Sequence, residues 1–174
     1  MGEWLLVINN MEKQIKQVEE FMTLFGQEVK AKVEMPSSKI AALRVSLLEE
    51  EVKELAEAVE QGDLVAVLDA FTDIRYVLEG AILAFGMQGI AQEAFEAVHA
   101  SNMQKACDTI ESARLTQESY TKIGVPTYIE QSPIKSQITG ENLWLIKREA
   151  DKKVLKSIHW EEQDLKSIVD RVTV

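Results

Sequence analysis

"LVAVLDAFTDIRYVLEGAILAFG", residues 64–86, is apolar almost all round, and its charges are few: Asp69, Asp73, Arg75 and Glu79. A helix with apolar groups on nearly every face is expected to be buried on most sides, so this stretch sets the centre of a helical packing. Asp63 stands where an N-cap belongs, and Gly86 where the helix should stop. Upstream, "LLEEEVKELAEAV" (47–59) lies in a helix of about 22 residues, capped by Ser37 or Ser38 after Pro36 and ending near Gly62. Further back, Ile8, Met11, Ile15, Val18, Met22 and Phe25 recur at steps of three and four, which predicts an amphipathic helix over residues 4–25. Downstream, "MQGI" leads into a fourth helix, "AQEAFEAVHASNMQK" (91–105). Helices joined by connections this short favour antiparallel neighbours in a bundle.

After Cys107 the character changes. "TIESARLTQESYTKIG" (109–124) predicts a further helix that stops at Gly124 before Pro126. "PTYIEQ" (126–131) and "NLWLIKREADKKVLKSI" (142–158) are rich in β-favouring residues, and the charged turn "READKK" splits the second, so a small β-hairpin is expected there. "WEEQDLKSIVDRV" (160–172) reads as a short final helix. The expected fold is therefore mainly all-α. A four-helix-bundle core occupies residues 1–107, and residues 108–174 extend it with a helix, a small β-hairpin and a short last helix, within a single domain.

Bulk properties narrow the functions. A chain of 174 residues suits one domain with a proper core. Its net charge of −10 argues against a binder of nucleic-acid polymers or anionic membranes, which need a basic footprint. No apolar run approaches the ~20 residues needed to span a bilayer. The start, "MGEWLLVINN", has no basic region and no small-residue cleavage site, so no signal peptide is expected. One cysteine, Cys107, permits no intrachain disulfide and fits a reducing cytoplasm.

The acids carry the chemistry. Positions 47, 51, 54 and 58 follow one helical line, so Glu51 and Glu54 share a stripe with Leu47 and Ala58, and Glu50 borders it. Asp69 and Asp73, four apart on the next helix, share a face that Tyr76 and Gly80 continue. An unpaired buried carboxylate is costly. Several meeting inside a bundle call for cations, and an all-oxygen donor set selects Mg²⁺ or Mn²⁺. The competing reading pairs these acids with Lys53, Arg44 and Arg75, or places them at a solvated edge. A di-iron site fails on count: Glu96 and His99 have Glu-x-x-His spacing, but His159 has no such partner.

Taken together, "EEVKE" (50–54), "DAFTDIRYVLEGAILAFG" (69–86) and "AFEAVHASNMQKA" (94–106) resemble the all-α nucleoside triphosphate pyrophosphohydrolase superfamily, the MazG-like group. The nearest branch is the one with dUTPase-like and phosphoribosyl-ATP-pyrophosphohydrolase-like members. The likeness covers roughly residues 18–107, and "DKKVLKSIHWEEQDLKSIV" is a weaker echo of the tail of some members. The resemblance implies Mg²⁺-dependent cleavage of a nucleoside triphosphate, deoxy or non-standard, between the α and β phosphates, with a role in cleaning the nucleotide pool. It implies metal binding by Glu50, Glu51 and Glu54, with Glu50 or Glu51 activating the attacking water. Asp73 matches the aspartate of the second acidic motif, Glu-x-x-Asp. Its glutamate is replaced here by Ala70, which leaves Asp69 as the substitute ligand and is compatible with one metal ion or two. Asn102 and Lys105 match the polar pair that contacts sugar and phosphate. Homodimers or homotetramers are the expected assembly. Phosphoribosyl-ATP as substrate, or a non-catalytic nucleotide-binding module, are the alternatives.

Overall fold

The computed structural model describes residues 2–136 and 139–173, with side chains from Lys13 onward. The elements are α1 (Gly2–Leu24), α2 (Ser38–Gln61), α3 (Leu64–Ala84), α4 (Ala91–Met103), α5 (Ile110–Lys122), β1 (Thr127–Lys135), β2 (Asn142–Arg148) and α6 (Leu165–Thr173). The fold is mainly α with one small hairpin, as expected. The chain divides into two compact units, Met1–Gln92 with Lys166–Val174, and Glu93–Leu165. Helix α4 carries the chain from the first into the second. No helix among the described residues is long and apolar enough to cross a membrane.

In the first unit α3 is the common neighbour of α1 and α2. Val18 and Met22 of α1 meet Leu83 and Ala84 of α3 in a buried cluster, with Ile15, Val29, Ile40 and Phe85 packed around it. The α1 stripe thus turns inward at Ile15, Val18 and Met22, whereas Phe25, past the helix end, is exposed. Ile8 and Met11 lie outside the described side chains. The loop after α1 is bonded to the end of α3, Lys30 N–H to Leu83 O at 3.0 Å and Glu34 N–H to Phe85 O at 3.2 Å. That approach requires Gly86: its φ is +69°, and a Cβ there would stand 2.0 Å from the Lys32 carbonyl oxygen.

Helix α3 departs from expectation along its length. Gly80, Leu83 and Ala84 are buried near its C-terminus, but Leu64 is 81% exposed, Val65 80% and Phe71 56%. Within one chain its last turns are enclosed, whereas much of the apolar surface of the first half is open although Ala70 is buried.

In the second unit Cys107, Ala113 and Ile146 form the core, with Ile110, Tyr120, Ile129 and Trp144 against it. Thr109 caps α5 by accepting from Ser112 N–H. Strands β1 and β2 pair antiparallel, Ile129 opposite Ile146 and Gln131 opposite Trp144, with a register shift between Gln131 and Lys135. Pro133, which has no N–H to donate, falls within that shift. The hairpin therefore runs between residues 127–135 and 142–148. The turn at 148–153 closes only a single bridge, Lys147 to Val154. Asp151 draws that turn tight by accepting from Arg148 and from Lys153 N–H. The chain then leaves the sheet, and the Ser157 hydroxyl donates to Gln104 O at 2.7 Å.

Candidate functional site

The acid-bearing helices are joined by two residues with opposite tasks. Gly62, at φ 69°, closes α2 by donating to Ala58 O and Val59 O. Asp63 opens α3, its Oδ1 accepting from Val65 N–H at 2.9 Å and Ala66 N–H at 3.1 Å. So short a link folds α3 back along α2, and Glu51 and Asp73 sit at matching distances from the turn.

Glu51 is the focus. Its side chain is half-buried, and its Oε2 is buried without a hydrogen-bond partner among the described residues. Desolvation holds its carboxyl above the ordinary 4.5, and the like charges of Glu54, Asp73, Glu50 and Asp69 push in the same direction. The structure thus brings the five acids of α2 and α3 into one electrostatic neighbourhood. They are not equally inward: Asp73 is half-buried with Glu51, whereas Glu50, Glu54 and Asp69 are exposed. The inward placement expected for Glu54 and Glu50 is therefore corrected. At their level α2 packs against α3, and the stripe turns inward at Leu47, Glu51 and Ala58 but not at Glu54.

The basic residues that the competing reading pairs with the acids are engaged elsewhere. Lys53 pairs with Glu57 at 3.6 Å on the outer face of α2. The Arg44 guanidinium donates to Gln27 Oε1 at 3.0 Å. The charge of Arg75 acts on Glu79, lowering a carboxyl that desolvation raises more strongly.

Among the described residues, no three His, Cys, Asp or Glu side chains stand close enough together to hold a metal ion as placed. The donor set nevertheless fits a hard divalent cation. It is all oxygen, it includes a buried acceptor with no partner, and its like charges destabilise one another in the absence of a counter-ion. Glu50, Glu54 and Asp69 are solvent-facing side chains that can change rotamer to join Glu51 and Asp73.

Asn102 and Lys105 sit at the end of α4 and just beyond it, in the second unit. They are partners of each other: Lys105 Nζ donates to Asn102 Oδ1 at 2.6 Å. His99 and His159 are both exposed.

Residues 18–102, just under half of the chain, match the model of the phosphoribosyl-ATP pyrophosphohydrolase family. That family belongs to the all-α nucleoside triphosphate pyrophosphohydrolase superfamily. No curated protein matches the chain. The matched segment starts at Val18 in α1 and ends at Asn102 in α4, so it contains both acid-bearing helices. The matched family is one of pyrophosphohydrolases, which attack a phosphoanhydride in a nucleotide-like substrate. Sequence reasoning passed over two polar features of the same unit, the buried Arg44 and the group formed by Gln14, Arg75 and Glu79. Neither has a signature in spacing, since each depends on which helices meet.

Proposed function

We propose that the chain is a Mg²⁺-dependent nucleoside triphosphate pyrophosphohydrolase that cleaves between the α and β phosphates, with Mn²⁺ able to substitute. The observation that carries this reading is Glu51, whose buried, unpartnered Oε2 lies among four other carboxylates on the matched segment. Glu50, Glu51, Glu54, Asp69 and Asp73 would hold the cation, which when bound supplies the positive charge that lets carboxylates and phosphates share one site. Glu51, or its neighbour Glu50, accepts a proton from water as the water oxygen bonds to the α-phosphorus. The bond from that phosphorus to its bridging oxygen breaks, and pyrophosphate leaves. Glu51 is the more inward of the two glutamates, half-buried beside Asp73, which favours it as the proton acceptor. Asn102 and Lys105 have the chemistry of sugar and phosphate contacts.

The matching family model favours a second substrate within the same chemistry, phosphoribosyl-ATP, and both belong in a first screen. The deciding experiment is hydrolysis in ¹⁸O-labelled water. Label in the nucleoside monophosphate, with pyrophosphate formed and no free phosphate, is the expected result. Diphosphate plus orthophosphate would reject this reading. No turnover of any nucleotide, with metal-dependent binding retained, would point to a non-catalytic module, for which the loss of the motif's glutamate at Ala70 is the motive.

A further inference from the structure

A cavity of about 370 Å³ lies between α1 and α3, and Tyr76 in its wall stands one helical turn from Asp73. Its size falls within the ~300–1,000 Å³ range of small-molecule sites. Gln14 and Gln17 of α1 face it, as do Arg75, Tyr76 and Glu79 of α3, and Val18 gives it an apolar wall. Three observations define what it would take. Gln14 Oε1 is buried without a hydrogen-bond partner among the described residues, an arrangement that is costly unless a donor reaches it. Glu79 is half-buried, and the charge of Arg75 acts against its desolvation. The Tyr76 ring is braced edge-on by Phe21, with centroids 5.7 Å apart and planes at 82°, so it presents a fixed flat surface. Two acceptors, one guanidinium and an aromatic wall describe a planar heterocycle that carries N–H donors.

We propose that this cavity receives the nucleobase of the substrate and selects bases with an exocyclic amino group, Glu79 and Gln14 accepting from that group and Arg75 donating to a ring or carbonyl acceptor. The assignment rests on the nucleotide reading given above. The selectivity follows from the acceptors: an oxo group in place of the amine sets lone pairs against two oxygens, whereas carboxylate and amide groups are natural partners for amino-bearing base edges.

Calorimetry with nucleoside monophosphates and Mg²⁺ tests this without turnover, using the pairs AMP with IMP and CMP with UMP. Each pair differs by amino against oxo. In at least one pair the amino member should bind at least ~10-fold more tightly, as expected for a hydrogen bond to a charged group. Glu79→Gln and Gln14→Leu, each confirmed as folded by its thermal melt, should bring that ratio to within about threefold. Equal affinities in both pairs, a preference that survives both variants, or no binding of any monophosphate would overturn the assignment. Hydrolysis separates the two readings. A wild type that cleaves triphosphates without amino preference sinks the cavity assignment alone. A wild type that binds with the preference but cleaves nothing sinks the enzymatic reading and leaves the cavity assignment standing.

Discussion

Gly80 makes room for the Arg44 guanidinium: a Cβ on the glycine would stand 3.1 Å from Nη1 and 3.8 Å from Cζ. Arg44 is only 7% exposed, and its polar contacts, Gln27 and Met22, are neutral. Nη2 donates to Gln27 Oε1 and lies 3.7 Å from Met22 Sδ, while Nε has no partner among the described residues. Burial therefore lowers its pKa with no carboxylate to offset the effect. A cation so placed packs well but is poorly compensated, and apolar replacements at such sites are often neutral or stabilising.

The contact predicts a change of sign. Gly80→Ala alone should destabilise by about 1 kcal/mol, because the new methyl must displace a guanidinium pinned by Gln27 and Met22. In an Arg44→Met background the same substitution should stabilise, because alanine regains up to about 1 kcal/mol of helix propensity over glycine. Thermal melts of the four proteins measure this. The same sign in both backgrounds would show that Gly80 is not there for Arg44.

Glu51 predicts a pH dependence in the absence of divalent cations. Its folded pKa is raised, so the folded protein holds its proton to higher pH than the unfolded chain does. Stability should therefore fall as pH rises from the ordinary 4.5 through the raised value, and level off above it. In EDTA at neutral pH, Glu51→Gln should melt higher than wild type, and the difference should vanish in acid below the ordinary carboxyl range. A variant that melts lower than wild type in EDTA would mean that Glu51 is stabilised by a partner rather than strained by its neighbours.

How much of this was legible beforehand varies with the kind of signal. Gly62 and Asp63 declared the α2–α3 turn because cap chemistry is local and residue-specific. The acids were legible as a group because helical spacing places Glu51 and Glu54 on one line, but their depth was not. Burial depends on which helix lies above, and that is why Glu54 came out exposed and Glu51 did not. The hairpin shows the same limit: β-propensity marked 142–148 but also 149–158, which is not strand, and the choice of partner rests on long-range pairing of β2 with Thr127–Lys135. Gln14 and Glu79 are 65 positions apart in sequence, and only the α1–α3 packing brings them to one cavity.

Within the second motif, Asp73 and Asp69 should separate. Asp73 is half-buried and weighs more on Glu51 than the exposed Asp69 does. Asp73→Asn should lower turnover at least ~100-fold, beyond what loss of a supporting group costs at a metal site. Asp69→Asn should have a smaller effect, because a solvent-facing carboxylate is the more easily replaced ligand. Steady-state rates decide, and equal losses would make Asp69 a full substitute for the glutamate absent at Ala70.

Metal removal gives a direct check on the donor set. Activity should disappear in EDTA and return with Mg²⁺ or Mn²⁺, since oxygen-only sites favour hard ions. The melting temperature of the wild type should rise with added Mg²⁺, because a ligand that binds only the folded state stabilises it. Glu51→Gln should lose most of that rise. Full activity in a chelated sample would end the carboxylate-cluster mechanism.

The exposed half of α3 bears on assembly. Leu64, Val65, Leu68 and Phe71 are open on α3, and Val52 and Val59 are open on the adjoining α2. Large apolar side chains grouped on a helix pair are unusual at a free surface, and one more layer of helix would cover them. A second copy of this chain brings such a layer, its own α2 and α3, and a two-fold arrangement sets equivalent apolar faces against each other. Sedimentation at micromolar concentration should therefore report a homodimer or homotetramer. Leu68→Arg places a charge in that face and should shift the protein towards monomer while far-ultraviolet circular dichroism remains helical. The substitution is outside the acid cluster but beside Asp69, so Phe71→Arg serves as an independent probe. A wild-type monomer, or an oligomer that both substitutions leave intact, would place the assembly contact elsewhere on the molecule.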